Sequence, residues 1–248
     1  MSALNQSPEK SRSITLIAAS LIMALAVGGG LVKVGAGFAS RSSDGITVTG
    51  SAKVSATADN VVWTLNVSLS SPTVSTAVKK VDSDVAALSD YLTKAGIPAT
   101  ALTLGGVSTS GNEEYVNGNS TGRILSYRAN RDVTVRSKDV QLISKLSQGL
   151  GALLAAGVNV NNYGPQYYIS NLPELRPQLM AEAMKDAKLR AEALTKAVDG
   201  QIGALVNVKA GPIQITTPDS TMTSDFGAYD TTTIEKTVTA TVSVTFKS

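Results

Sequence analysis

The chain contains no cysteine and no histidine. Without a thiolate there is no disulfide, no thiolate zinc site and no cysteine nucleophile. Without an imidazole there is no Ser-His-Asp triad and no imidazole metal ligand. Aromatic residues make up only 4% of the sequence, and no lysine–arginine stripe interleaves with them. The usual footprint of a nucleic-acid binder is therefore missing. The formal net charge of +3 does not restore it, because Lys10, Arg12 and Lys33 against Glu9 already carry +2. From residue 40 onward the balance is 19 basic to 18 acidic residues. No phosphate-binding loop occurs, since the fragment GLGALL beginning at Gly149 is a broken dinucleotide fingerprint inside a helical pattern.

What the sequence does have is one long apolar run. Ile14 to Val32 holds no charge, and Lys33 follows at once. As a helix it would span roughly 28 Å, close to the thickness of a bilayer's hydrocarbon core. A secretory signal needs only about 7–15 apolar residues. The small residues before Ser40 nevertheless offer a cleavage site after Ala39, so a signal peptide is the alternative. Basic residues flank both ends, which leaves the positive-inside rule nearly balanced. The expectation is a retained single-pass helix. Residues 1–13 would then lie in the cytoplasm, 14–34 in the inner membrane, 35–45 in a small polar linker, and 46–248 outside the cytoplasm.

After the linker, Trp63, Leu65, Val67 and Leu69 alternate with Thr64, Asn66 and Ser68, the period of a half-buried strand. Ser71-Pro72 reads as a helix start. Val74, Val78, Val81, Val85, Leu88, Leu92 and Ala95 form the inner stripe, and Gly96 and Pro98 form the stop. Asn117-Gly118 marks a hairpin turn. Leu125, Tyr127, Ala129, Val133 and Val135 share one face of the returning strand, interrupted by Arg131, while Arg128, Asn130, Asp132, Thr134 and Arg136 share the other. Asp139 caps a second helix carrying Leu142, Ile143, Leu146, Leu150 and Leu153 inward. The strand from Val158 to Ser170 contains Gly164-Pro165, the mark of a bulge or an edge. A third helix from Pro173 to Val198 has the inner stripe Met180, Met184, Ala187, Ala191, Leu194 and Val198. Pro212 to Thr233 reads as a mobile loop. A last strand alternates Val238, Ala240, Val242, Val244 and Phe246 with threonine and serine. The element order predicts an α+β fold, with helices packed on antiparallel-rich sheet in two loosely repeated αβ units.

The search for chemistry yields no catalytic, cofactor-binding or metal-binding residue. Glu113, Glu114 and Asp132 are the carboxylates a hydrolase would use, and no partner for Asp132 is visible. Asp219, Asp225 and Asp230 are too widely spaced for a calcium loop. No cofactor is expected. A small-ligand binding module is a third possibility, with the ligand unknown.

Several segments together resemble a known family: ITVTGSAKVSATADNVVWTLNVSLSS, a helix ending KAGIP, LTLGGVST, SYRANRDVTVRSKD, AAGVNVNNYGPQYYIS and AEAMKDAKLRAEALTKAV. Their order is similar to that of the SIMPL-domain family, the bacterial periplasmic and outer-membrane-associated immunogenic proteins linked to oxidative-stress defence. The resemblance implies an exported α+β domain without known catalytic residues and a tendency to build ring- or cage-like homo-oligomers. The expected partners are accordingly the chain itself and the membrane, and not nucleic acid.

Overall fold

The computed structural model describes residues 45–222 and 224–247. The expected membrane helix, residues 14–32, lies outside the described residues. Among the described residues, no helix is long and apolar enough to cross a membrane.

The fold is α+β and built on two sheets. The first strands are β1 (Gly45–Thr57) and β2 (Asn60–Ser71), followed by α1 (Val74–Lys94). Next come β3 (Leu102–Leu104), β4 (Ser108–Val116) and β5 (Asn119–Ser137). Two short helices, α2 (Val140–Gln148) and α3 (Gly151–Ala155), lead to β6 (Val160–Tyr168) and the long α4 (Leu172–Lys196). The chain ends in β7 (Leu205–Ala210), β8 (Gln214–Thr216) and β9 (Glu235–Lys247). One sheet runs β3-β5-β2-β6 with β4 also on β5, and the other runs β1-β9-β7 with β8 on β9.

The chain divides into two compact units. The larger comprises Val48–Arg190 and Val208–Val244; the smaller, among the described residues, gathers Ala191–Asn207 with 45–47 and 245–247. In the larger unit, the apolar rows of β2 and β5 meet α1. Trp63, Leu65 and Val67 pack with Val81, Val85, Leu88, Leu92, Val133 and Val135 in one core. A second core joins α4 to the other sheet through Leu179, Ile215, Val238 and Ala240. Each sheet thus carries its own helical layer. In the smaller unit, Thr47 and Thr245 share a side-chain hydrogen bond of 2.9 Å, and Gly203 donates to the Lys247 carbonyl at 2.7 Å.

The third helix departs most from its expected stripe. Its buried row is Leu179, Ala183, Ala187, Ala191 and Thr195, while Leu194 and Val198 are exposed. The cause is a close approach to β1. A Cβ on Gly50 would sit 2.1 Å from the Ala183 carbonyl oxygen and 2.7 Å from the Ala187 Cβ. Only alanine-sized groups fit such a seam, so the large residues turn outward. Asp186 ties the same seam by accepting the Ser51 N–H at 2.8 Å, and it pairs with Arg190 at 2.9 Å.

Three smaller differences have local causes. The cap of α1 is Thr73, which accepts the Thr76 N–H at 3.2 Å. Ser71 cannot serve, because it still pairs with Tyr127 in the sheet. The expected second helix is two, broken where Gly149 closes α2 and Tyr91 donates its hydroxyl to the Gly149 carbonyl at 3.0 Å. The expected loop from Pro212 to Thr233 contains β8, whose three residues are all buried. Asp139 caps α2 as expected, at 2.9 Å from the Leu142 N–H.

Candidate functional site

The Gly164-Pro165 strand carries both a bulge and an edge. β6 is the outermost strand of its sheet. Its register on β2 passes from Trp63 opposite Pro165 to Leu65 opposite Asn162, so Tyr163 and Gly164 together face the single residue Thr64. Gly164 adopts φ 84°, a conformation that side chains resist. Bulges re-aim side chains at sheet edges, and here Tyr163 is left 78% exposed.

One side chain organises the bulge. Asn162 Oδ1 accepts the indole N–H of the buried Trp63 at 2.8 Å and the Gly164 N–H at 3.0 Å. Its amide donates to the Ser147 carbonyl, at the end of α2, at 2.7 Å. Strand, bulge and helix end are thereby held together by three hydrogen bonds.

A second network holds the segment opposite. Lys236 stands in the inward row of β9, one position before Val238, and its side chain is fully buried. It donates to the Asp230 carbonyl at 2.7 Å and to the Asp230 carboxylate at 3.1 Å. The same carboxylate accepts both the N–H and the hydroxyl of Thr232 and of Thr233. Burial pushes the Asp230 carboxyl up, but the hydrogen bonds from Thr232, Thr233 and Lys236 outweigh this and hold it well below the usual carboxylate range. Tyr167 donates its N–H to the Thr231 carbonyl at 2.8 Å, joining the clasped segment to β6.

Between these two networks runs an open groove of about 760 Å³. Ser144, Ser147 and Gln148 come from α2, Tyr163 to Tyr167 from β6, and Thr231 to Glu235 from the clasp and the start of β9, with Pro218 beside them. No lysine or arginine lines it. Glu235 is the only carboxylate there, and Thr57 donates to it at 3.0 Å. The groove can therefore offer hydrogen bonds and one ring face. It has no acid–base pair and no anion clamp.

The carboxylates singled out in the sequence lie elsewhere. Glu113 accepts from Ser120 at 2.6 Å, and Glu114 accepts from Thr121 and pairs with Arg123 at 3.3 Å, all on the β4–β5 hairpin. Asp132 accepts from Asn66 across strands at 2.7 Å. Glu113 pairs opposite Ile124, eight residues along β5 from Asp132, so the two lie roughly 26 Å apart along the strand. A glycosidase pair needs about 5–9 Å, so the structure does not bring these residues together. No group of three or more acidic residues able to hold a metal occurs among the described residues. Lys236, Asn162 and Tyr163 were not picked out in the sequence. The signals were Gly164-Pro165 inside a strand, which marks the irregularity beside Asn162 and Tyr163, and a lysine standing at an inward position of an alternating strand.

A two-sheet α+β domain, with its polar side chains gathered along an open groove and not around a metal or nucleophile, is the class that the geometry defines. The SIMPL family model, described as a protein of unknown function (DUF541), matches residues 46–246, and the chain belongs to that family. No curated protein matches the sequence.

Proposed function

We propose that the chain is a non-enzymatic, membrane-tethered subunit of a self-assembling cell-envelope protein. Residues 14–32 would remain as the tether, with the folded domain outside the cytoplasm. The observation that supports assembly is the β4–β5 hairpin. Pairing of β5 with β2 ends at Tyr127 opposite Ser71, yet the hairpin continues to the turn at Asn117 and Gly118. The extension is about 26 Å long. A two-stranded ribbon is marginal by itself in water, and this one exposes Tyr115 (65%), Val116, Ile124 and Leu125. A neighbouring copy would cover these side chains. The outermost strand β7 is exposed along its whole length and is a further surface for pairing.

Support for the absence of covalent chemistry is the scatter of Glu113, Glu114 and Asp132 together with the missing histidine and cysteine. A cysteine-free chain also has nothing to mispair in an oxidising compartment, which suits the envelope and stress setting that the family resemblance implies.

Light scattering on the chain from residue 40, which retains both cores, tests assembly. A homo-oligomer is expected, and Tyr115→Ser with Leu125→Ser is expected to dissociate it. A concentration-independent monomer would refute the reading. Intact mass of the protein extracted from its native membrane tests the tether. A mass that includes Met1 or Ser2 is expected, whereas one beginning at Ser40 removes the anchor.

A further inference from the structure

We propose that the groove beside the β6 bulge binds an uncharged oligosaccharide, with Tyr163 as its stacking platform. This goes beyond assembly, because no residue of the β4–β5 hairpin lines the groove.

Charge narrows the ligand first. A phosphate, a nucleotide or an acidic peptide is held by lysine and arginine, and none lines this groove. An acyl chain needs a lining that is predominantly apolar. An acyl chain also needs enclosure, and this groove is open to solvent, with serine, threonine and glutamine groups interrupting its apolar wall. What remains is a neutral molecule rich in hydroxyls.

The groups available match such a molecule. The hydroxyls of Ser144, Tyr163 and Thr231 and the amide of Gln148 line the groove, and no partner for them occurs among the described residues. Gln166 accepts the Tyr168 hydroxyl through its oxygen at 2.9 Å, which leaves its NH₂ free to donate outward. Hydroxyls and amides both donate and accept, as do the hydroxyls of a sugar. The exposed Tyr163 ring offers an apolar face of the kind that packs against the C–H face of a pyranose.

Preorganisation supports the same reading. A site whose walls are already fixed loses less freedom on binding. Asn162 fixes one wall through three hydrogen bonds, and the Asp230–Lys236 clasp fixes the other. The volume, about 760 Å³, falls within the range of roughly 300–1,000 Å³ usual for ligand sites. An open groove, unlike a closed pocket, admits a polymer strand along its length.

The test uses the full chain in a detergent without a sugar headgroup. Trp63 is the only tryptophan, and its indole is bonded to the Asn162 brace, so its fluorescence reports on the groove. Calorimetry provides the second readout. Titration with N-acetylchitotetraose or maltotetraose is expected to give saturable binding to at least one, and inorganic phosphate none. Tyr163→Ala is expected to weaken the sugar roughly tenfold, with an unchanged circular-dichroism spectrum because the ring is exposed. Gln166→Ala should weaken it less. The proposal fails if neither oligosaccharide binds by calorimetry, if phosphate binds in their place, or if Tyr163→Ala leaves the affinity unchanged. It fails equally if Tyr163→Ala alters only the oligomer mass, which would make the groove a contact between copies. A monomeric wild-type chain would leave the expected sugar binding intact, so failure of assembly and failure of this site are distinguishable.

Discussion

Replacing Asp230 by asparagine changes little in shape but leaves Lys236 buried without a counter-charge. Its ammonium keeps the 2.7 Å bond to the residue-230 carbonyl and loses the carboxylate at 3.1 Å. Its side chain is 0% exposed, so water cannot take over. Removing one partner of a buried pair costs about 3–5 kcal/mol, because an uncompensated charge remains in low dielectric. For a domain of this size that is a fall in Tm of roughly 6–20 °C. Lys236→Met tests the converse. Asp230 retains its four bonds from Thr232 and Thr233. What is lost is the two hydrogen bonds of the ammonium, to the carbonyl and to the carboxylate, about 1.5–3 kcal/mol each, offset in part because no charge is left buried at residue 236. The double variant should be destabilised by less than the sum of the two, with a coupling of up to about 3 kcal/mol. Thermal unfolding followed through Trp63 fluorescence, on the chain from residue 40, measures all three. Strict additivity, or an Asp230→Asn variant within about 1 kcal/mol of wild type, would refute the argument that the clasp is held by charge pairing.

Acid should weaken the same clasp. Asp230 is held below its ordinary value of 3.8 when folded, so its contribution is fully present above about pH 4, is lost as pH falls through the folded value, and should be largely absent from Asp230→Asn in urea titrations at stepped pH. Asp59, lowered chiefly by the Ser170 hydroxyl bond, adds to the loss in the same direction. Gly50→Val should destabilise by about 3 kcal/mol or more, since even a Cβ would lie 2.1 Å from the Ala183 carbonyl oxygen; an unchanged urea midpoint would show that α4 can simply shift away. Asp139→Ala should cost about 1 kcal/mol through loss of the Leu142 N–H cap, and Asp139→Ser should recover most of it.

Local rules made much of the fold legible. Period-two alternation placed β2 and β9 with their inward residues correct, and β5 from Ala129 to Val135, because one face of each is buried and one is not; Leu125, expected on the same inward face, is exposed where β5 runs past the end of β2. Asn117 and Gly118 turn the hairpin with positive φ at both residues, as their types suggest. The misreadings arise where tertiary contact overrides local pattern. The expected stripe of α4 includes Ala187 and Ala191, which are buried, but also runs through the larger Met180, Met184, Leu194 and Val198, of which the last two are exposed. The helix instead buries its smallest, because Gly50 on a strand more than a hundred residues away admits the helix backbone so closely. That constraint is non-local and leaves only a weak trace, a four-residue recurrence of alanine at 183, 187 and 191.

The site was less legible than the fold for a related reason. Sequence patterns mark chemistry when reactive residues sit at fixed spacing, and this groove has none. It is assembled from a helix end, a bulge and a clasp spread from Ser144 to Glu235, and its residues are serines, threonines and glutamines that occur on any surface. Two features could have marked it. Gly164-Pro165 inside a strand announced an irregularity, and the irregularity is what exposes Tyr163. Lys236 at an inward strand position announced a buried charge, which requires a partner. The partner is Asp230, in a segment whose threonines and aspartates read as solvent-loving. Those same threonines donate to the carboxylate that neutralises the lysine. Their polarity serves the interior, and the groove wall owes its fixed shape to it.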